Sequence, residues 1–240
     1  MIALAVVLRS RDDGRGTGGH AVSVERAVRG AFSAYNAADV DRFLAQWTER
    51  GFVDVFGVTK EEAADVPPGL SGLRPLSQST VDVGAVSHAT VAGDSARTRV
   101  VLTDLHVVRT FDFRLVRDGR DWLIDEAVER PSRVPSGAAI VPVELREYDI
   151  RLSADTVTRS VVFRAANAGR RSHQLLLLRL DAALGTEESI GRIELLPPGR
   201  SWPLVLRGLE PGRYALVCNL LDQEGVPHSS RGMRAELRVR

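Results

Sequence analysis

The chain has 240 residues, of which 44% are hydrophobic and 26% charged, and its formal net charge is +1. That length can hold two ordinary domains, each with a core of its own. The charge balance excludes nucleic-acid binding through bulk positive charge, the single cysteine excludes an internal disulfide, and no apolar run reaches the roughly 18 residues of a membrane-spanning helix.

Residues 1–19 open with MIALAVVL, a short apolar run with no basic residue before it, and continue through RSRDDGRGTGG, which reads as flexible. Two readings stand. The segment is the remnant of a signal peptide, which makes the protein an exported one (periplasmic or extracellular), or it is a flexible N-terminus. Beyond it, Val24, Val28, Ala31, Phe32 and Tyr35 share one face at helical spacing. Val40, Phe43, Leu44 and Trp47 repeat the stripe, which predicts a second amphipathic helix, with Asn36 or Asp39 able to cap it. GFVDVFGV, residues 51–58, alternates and is read as a short strand. Thr59 to Glu62 fits a capping box, so TKEEAAD is expected to be a short helix. VPPGLSGLRP is a loop by its Pro and Gly.

From Thr80 the period becomes two. VDVGAVSHATV, SARTRVVLTDLHVV, TFDFRLV and DWLIDEAV read as four strands, the first pair joined through AGD and the last through RDGR. Helices followed by an antiparallel sheet predict an α+β domain over residues 20–131. Its pocket candidates are polar residues on apolar elements: Tyr35, Asp54, His88, Asp104, His106, Asp112 and Arg114. An Asp beside a Tyr or His in one apolar cavity could transfer a proton, with burial tuning the Asp. The simpler reading of Asp112 and Arg114, which alternate with Phe111, Phe113 and Leu115, is a solvated strand face. No catalytic set is assigned.

Residues 132–141, within the Pro- and Ser-bearing RPSRVPSGAAIVP, are read as a linker. Residues 142–240 then carry the short strands VELREYDIRL, SVVFRAAN and HQLLLLRL, a strand around the PPG turn, GRYALVCNLL and MRAELRVR. DAALGTEESI is read as a short helix or an insert. Regular short strands with turn signals predict an all-β Greek-key sandwich.

The chemistry concentrates at the C-terminus. Cys218, the only cysteine, ends an apolar run; His228 follows on a Gly- and Pro-bearing loop; Met233, the only methionine besides Met1, opens the last strand. His173 opens an inner strand. A thiolate, two imidazoles and a thioether are the donors of a mononuclear type 1 copper site, where soft sulfur favours Cu(I) and imidazole suits both oxidation states. The simpler readings are a buried apolar Cys, a core-filling Met and a solvated loop His.

Residues 142–240 resemble the cupredoxins, the plastocyanin and azurin superfamily. Asn167, Gly169 and His173, the turn Pro211 to Tyr214, Cys218, the pair Pro227 and His228, and the pair Gly232 and Met233 carry the resemblance. It implies His173, Cys218 and His228 as equatorial ligands of one copper and Met233 as the axial one. The Cys-to-His loop is longer than in plastocyanin-like or azurin-like proteins and is more similar to that of copper nitrite reductase domains. Residues 20–131 resemble the SnoaL-like branch of the NTF2-like superfamily, through the helices around Phe32, Tyr35, Phe43 and Trp47 and the ending FDFRLVRDGRDWLIDEAVER. That implies a cone-shaped pocket, for a small apolar ligand, or a dimerising module.

The expected function is electron transfer or copper carriage, with a redox partner protein or a copper donor or acceptor as its partner. His228 is expected to reach solvent beside Val226 and Pro227, with Arg231 and Arg234 favouring an acidic partner. Two alternatives stand: a non-metal binding protein with a degenerate cupredoxin domain, and an NTF2-like enzyme acting on a small apolar substrate.

Overall fold

Val24, Val28, Ala31 and Phe32 bury one face of α1 (Gly16–Asn36), as their spacing predicts. In the computed structural model, residues 16–65, 80–181 and 187–240 are described. The apolar run at the N-terminus and the VPPGLSGLRP loop lie outside them, as does most of DAALGT.

Three short helices follow α1. Asp39 caps α2 (Val40–Leu44), accepting from the N–H of Arg42. This helix is shorter than its stripe predicts, and Trp47 instead forms an isolated bridge to Ile124. Residues 49–56, most of which were read as strand, are helix α3 (Glu49–Phe56). Three local signals outweigh the alternation. Thr48 accepts from Gly51 N–H as the N-cap, Gly57 closes the end at φ 74°, and Phe52 and Phe56 stack four residues apart with centroids 4.6 Å apart. The capping box is present: Thr59 N–H donates to Glu62 Oε2 and Glu62 N–H to Thr59 Oγ1, and α4 (Lys60–Asp65) follows.

These helices pack on an antiparallel sheet of β1 (Val81–Val86), β2 (Thr90–Ala92), β3 (Ser95–Asp104), β4 (Val107–Asp118) and β5 (Asp121–Arg130). VDVGAVSHATV is two strands rather than one. The next break falls at Leu105 and His106, not at Arg109, because Leu105 takes a left-handed φ of 50° and turns the chain. Phe43, Trp47, Phe52, Phe113, Leu115 and Ile124 fill the space between helices and sheet. Full burial stabilises each such side chain by about 1.5–3 kcal/mol.

The second half begins earlier than the linker reading allows, since β6 (Ala139–Arg146) opens inside it. VELREYDIRL is a hairpin, with β7 (Asp149–Leu152) returning along β6. Then come β8 (Thr156–Val157), β9 (Val161–Asn167), β10 (His173–Arg179), β11 (Glu188–Leu196), β12 (Ser201–Leu206), β13 (Gly212–Val217) and β14 (Arg234–Val239). Glu188 to Ile190 are thus strand, not helix. One sheet has the order β12-β9-β6-β7 and the other β11-β10-β13-β14-β8. Between them Val143, Leu145, Phe163, Leu175, Leu177, Leu206 and Leu216 form one core, which makes this half a β-sandwich.

The two halves share a sheet. Where β5 ends, β12 takes its place beside β4, pairing Val205 with Val108 and Leu206 with Val107. Arg207 N–H donates to His106 O at 2.8 Å, and Val107 reaches into the sandwich core. Among the described residues no helix is long and apolar enough to cross a membrane.

Candidate metal centre

Cys218 directly follows β13, and its backbone N–H donates to Met233 O at 3.2 Å, so the first residue past one strand lies beside the residue that leads into the next. The intervening loop is braced from within. Asp222 Oδ1 accepts from the N–H groups of Glu224 and Val226, and Asp222 N–H donates to Val226 O. Gly225 supplies a left-handed φ of 75°, and Leu221 bridges to Pro227. A 3₁₀ turn at His228–Arg231 then folds back. Ser229 N–H donates to Cys218 O at 2.7 Å and Met233 N–H to His228 O at 3.0 Å, with Gly232 ending the turn at φ 106°. Cys218, His228 and Met233 are thereby tied together by main chain.

His173 arrives from the neighbouring strand. Asn167, buried at the end of β9, shapes the approach: its amide donates to Arg171 O and Leu196 O, and its carbonyl accepts from Gly169 N–H at 2.9 Å. Glu147 accepts from the N–H groups of Arg170 and Arg171, the latter at 2.8 Å. Gly169 must lack a side chain, because a Cβ would stand 2.8 Å from Glu147 Oε1 and 3.0 Å from His173 Nε2. One strand residue beyond His173, Gln174 donates its N–H to Cys218 Sγ at 3.2 Å.

The structure brings His173, Cys218 and His228 together: one donor atom from each lies within 4.8 Å of the others. Cys218 Sγ is 3.4 Å from His228 Nδ1, and the two imidazole centroids are 5.4 Å apart. His173, Cys218 and Met233 are fully buried, and His228 is 2% exposed. Both ring nitrogens of His173 are buried without a hydrogen-bond partner among the described residues. An unpaired buried polar group costs about 1–3 kcal/mol, so a fold that keeps one implies a partner.

Electrostatics agree with a ligand set. Burial, aided by the neighbouring His228, pushes His173 below its ordinary pKa, with Glu147 opposing. Burial likewise lowers His228. Burial raises the Cys218 thiol, against the pull of the Gln174 and Leu220 backbone. The imidazoles are therefore neutral, with lone pairs free to ligate. The thiol keeps its proton until a cation displaces it. These donors fit a type 1 copper: two imidazole nitrogens, one thiolate and the buried thioether of Met233, whose backbone is hydrogen-bonded to those of Cys218 and His228.

Two expectations fail. His228 does not reach solvent; the ring of Tyr148 stands edge-on against it at 5.2 Å. Arg231 and Arg234 are not free for a partner. Arg231 pairs with Asp222 and Glu224, and Arg234 with Glu187 and Glu236.

The α+β half gathers only some of its pocket candidates. His88, Asp112 and Arg114 line an open groove of about 600 Å³ on the outer face of the sheet. Arg99, with Arg130 beside it, holds the Asp112 carboxyl below its ordinary range, the reverse of a burial-tuned base. Tyr35 packs on Phe43, and Asp54 is exposed on α3. Asp104 ends β3. His106 turns Nδ1 to Arg207 O at 3.0 Å. None of these four is among the described residues that line the groove.

Glu147, Tyr148 and Gln174 were not singled out from sequence. One signal was available for the first two. Buried positions run Val141, Val143 and Leu145, then shift phase to Ile150, and the slip marks a turn at Glu147 and Tyr148.

No protein-family model and no curated protein matches the chain. Among solved structures it is similar to auracyanin from the photosynthetic bacterium Roseiflexus castenholzii, at 17% identity over 43% of this chain and 99% of that one, with a TM-score of 0.32. Auracyanin A from Chloroflexus aurantiacus, described as a "blue" copper protein, is 15% identical over 42% of this chain and 100% of its own, with a TM-score of 0.30. A multi-copper oxidase from Pediococcus acidilactici is 10% identical over 67% of this chain and 44% of its own, with a TM-score of 0.31.

Proposed function

We propose that the chain is a mononuclear type 1 copper protein of cupredoxin kind, serving electron transfer or copper carriage. His173, Cys218, His228 and Met233 would hold the metal, through two imidazole nitrogens, a thiolate and a thioether. One observation carries the reading: two unpartnered, buried His173 nitrogens beside a buried thiol and a second buried imidazole.

Copper, when bound, supplies reversible one-electron chemistry. The chain's own residues do the rest. Gln174 N–H donates to the sulfur and so stabilises it as thiolate. Asn167 and Glu147 fix the segment that presents His173. The loop hydrogen bonds tie Cys218, His228 and Met233 together through main chain, an arrangement that would favour small rearrangement if a bound copper changed oxidation state. Exposed Leu221 with half-buried Val226 and Pro227 offers an apolar patch for a redox partner or copper donor.

In this reading residues 20–131 are an NTF2-like accessory domain that binds a small apolar ligand or pairs two copies, and residues 142–240 are the copper domain of an exported protein. The helices packed on an antiparallel sheet support the first part.

Titrating the protein with Cu(II) while recording visible absorption tests the metal reading. An intense blue or green band saturating near one copper per chain, and absent in Cys218→Ser, is expected. No band and no tight copper binding leaves a degenerate sandwich that binds a partner without metal.

A further inference from the structure

Tyr148 holds a backbone conformation that tyrosine disfavours. It sits in the two-residue connection between Arg146 and Asp149, which pair across β6 and β7, and its φ is 63°. Glycine, asparagine or aspartate suits such a position; another side chain there costs about 1–2 kcal/mol. A bulky residue at such a φ points to a use for the side chain where, unlike exposed Leu105, it is packed against a neighbour.

The ring shows what that use is. It meets His228 edge to face, with centroids 5.2 Å apart and planes at 83°. Tyr148 is itself half-buried while His228 is nearly sealed, so the aromatic ring forms the outer layer over that imidazole. No hydrogen bond of the phenol to a described residue accompanies the contact, so the ring and not the hydroxyl makes it. The hairpin tip also abuts the other side of the loop: a Cβ on Gly232 would lie 3.7 Å from Tyr148 O. The preceding residue, Glu147, pins the segment before His173. The same two-residue tip thus braces the approach to one imidazole and covers the other.

We propose that Tyr148 is a strained cap on the metal centre: a positioning residue whose ring closes the β6–β7 hairpin over His228 and slows exchange between the site and its surroundings. The part that concerns copper rests on the function proposed above. The occlusion itself does not, because it rests on the contact between the Tyr148 and His228 rings.

The test compares Tyr148→Asn and Tyr148→Phe with the parent chain. Asparagine tolerates the left-handed backbone and removes the ring; phenylalanine keeps the ring. Two rates are read, together with the unfolding midpoint. The first is the reaction of Cys218 with 4,4′-dithiodipyridine in metal-free protein. The second is loss of copper to a chelator from loaded protein. Tyr148→Asn is expected to raise both rates by about tenfold or more, through easier local opening. Its unfolding midpoint should stay within about 4 °C of the parent, since relieved strain offsets lost ring contact. Tyr148→Phe should match the parent throughout. Unchanged rates in Tyr148→Asn would overturn the cap. So would faster rates matched by an equally large fall in global stability, which would make Tyr148 an ordinary structural residue. If the parent takes up no copper, the function above fails while the thiol rates still decide the cap.

Discussion

Sγ of Cys218 lies 3.4 Å from Nδ1 of His228, ten residues further along the chain, and both side chains are sealed from solvent. The contact joins a thiol made harder to ionise by burial to an imidazole made harder to protonate by burial. Neither group carries charge there cheaply: the thiol would need a cation beside it to ionise, and the imidazole stays neutral with a lone pair to offer that cation.

The metal-free protein should therefore have an optimum of stability bounded by its own ligands. Below the ordinary imidazole value of 6.5, the unfolded chain takes up protons that buried His173 and His228 resist, so stability falls as pH falls through that window. Above the ordinary thiol value of 9.0, unfolded Cys218 ionises while the buried thiol does not, so stability falls as pH rises. Buried Tyr214 adds a similar loss only above 10.0. Urea midpoints taken at about pH 5, 7.5 and 9.5 should be highest in the middle, and Cys218→Ser should flatten the step from 7.5 to 9.5. A midpoint that does not move with pH would refute the burial account.

Proton release on copper binding follows from the same groups. At about pH 7.5 the imidazoles are already neutral and the thiol is protonated, so binding should liberate one proton per copper, from Cys218. A weakly buffered titration with an indicator dye measures it directly. Release of two or three protons would mean that the histidines are charged in the free protein, against their burial.

Gly169 should tolerate no side chain. The Cβ of Gly169→Ala would stand 3.0 Å from His173 Nε2 and as close to both carboxylate oxygens of Glu147. The flexible carboxylate can move aside, but the imidazole is buried and held. Overpacking of this kind costs about 1–3 kcal/mol. The melting temperature should drop, and copper affinity should weaken with it, because the displaced ring is a donor. Wild-type affinity in Gly169→Ala would show that His173 is not held where the metal needs it.

The candidate donors were legible in the sequence for a compositional reason: one cysteine and one non-initiator methionine, both in the last forty residues, leave few ways to assemble sulfur ligands. His173, Cys218 and His228 converge as that pattern anticipates. The β-sandwich was legible from turn spacing. The rest failed for local reasons. Residues 51–58 alternate like a strand, but Thr48 and Gly57 cap a helix over Glu49–Phe56, and capping acts through backbone bonds that periodicity does not register. The tip of the β6–β7 hairpin hid inside an alternating run, because a turn of two residues leaves only a phase slip. The burial of His228 could not be read at all, since Tyr148 lies eighty residues before it and meets it only through the fold.

The junction between the halves is the other feature that no local pattern announces, since its strand pairing rests on two residue pairs. Val107 belongs to β4 of the first half, yet it packs in the core of the second with Leu204 and Leu206. Gly191 on β11 makes room for it: a Cβ there would collide with Val107 Cγ2. A buried apolar contact of this kind should couple the halves in unfolding. Thermal and urea denaturation of the metal-free chain should show one transition by fluorescence and by circular dichroism alike. Gly191→Ala should lower stability by about 1–3 kcal/mol. Val107→Ala in the same chain should recover part of that loss, since the colliding methyl is gone, giving a coupling of about 0.5–3 kcal/mol. Two separate transitions, or strictly additive single substitutions, would mean that the β4–β12 pairing touches without joining. The first half would then be a passenger on the sandwich, and changes there should leave the Cys218 environment unmoved.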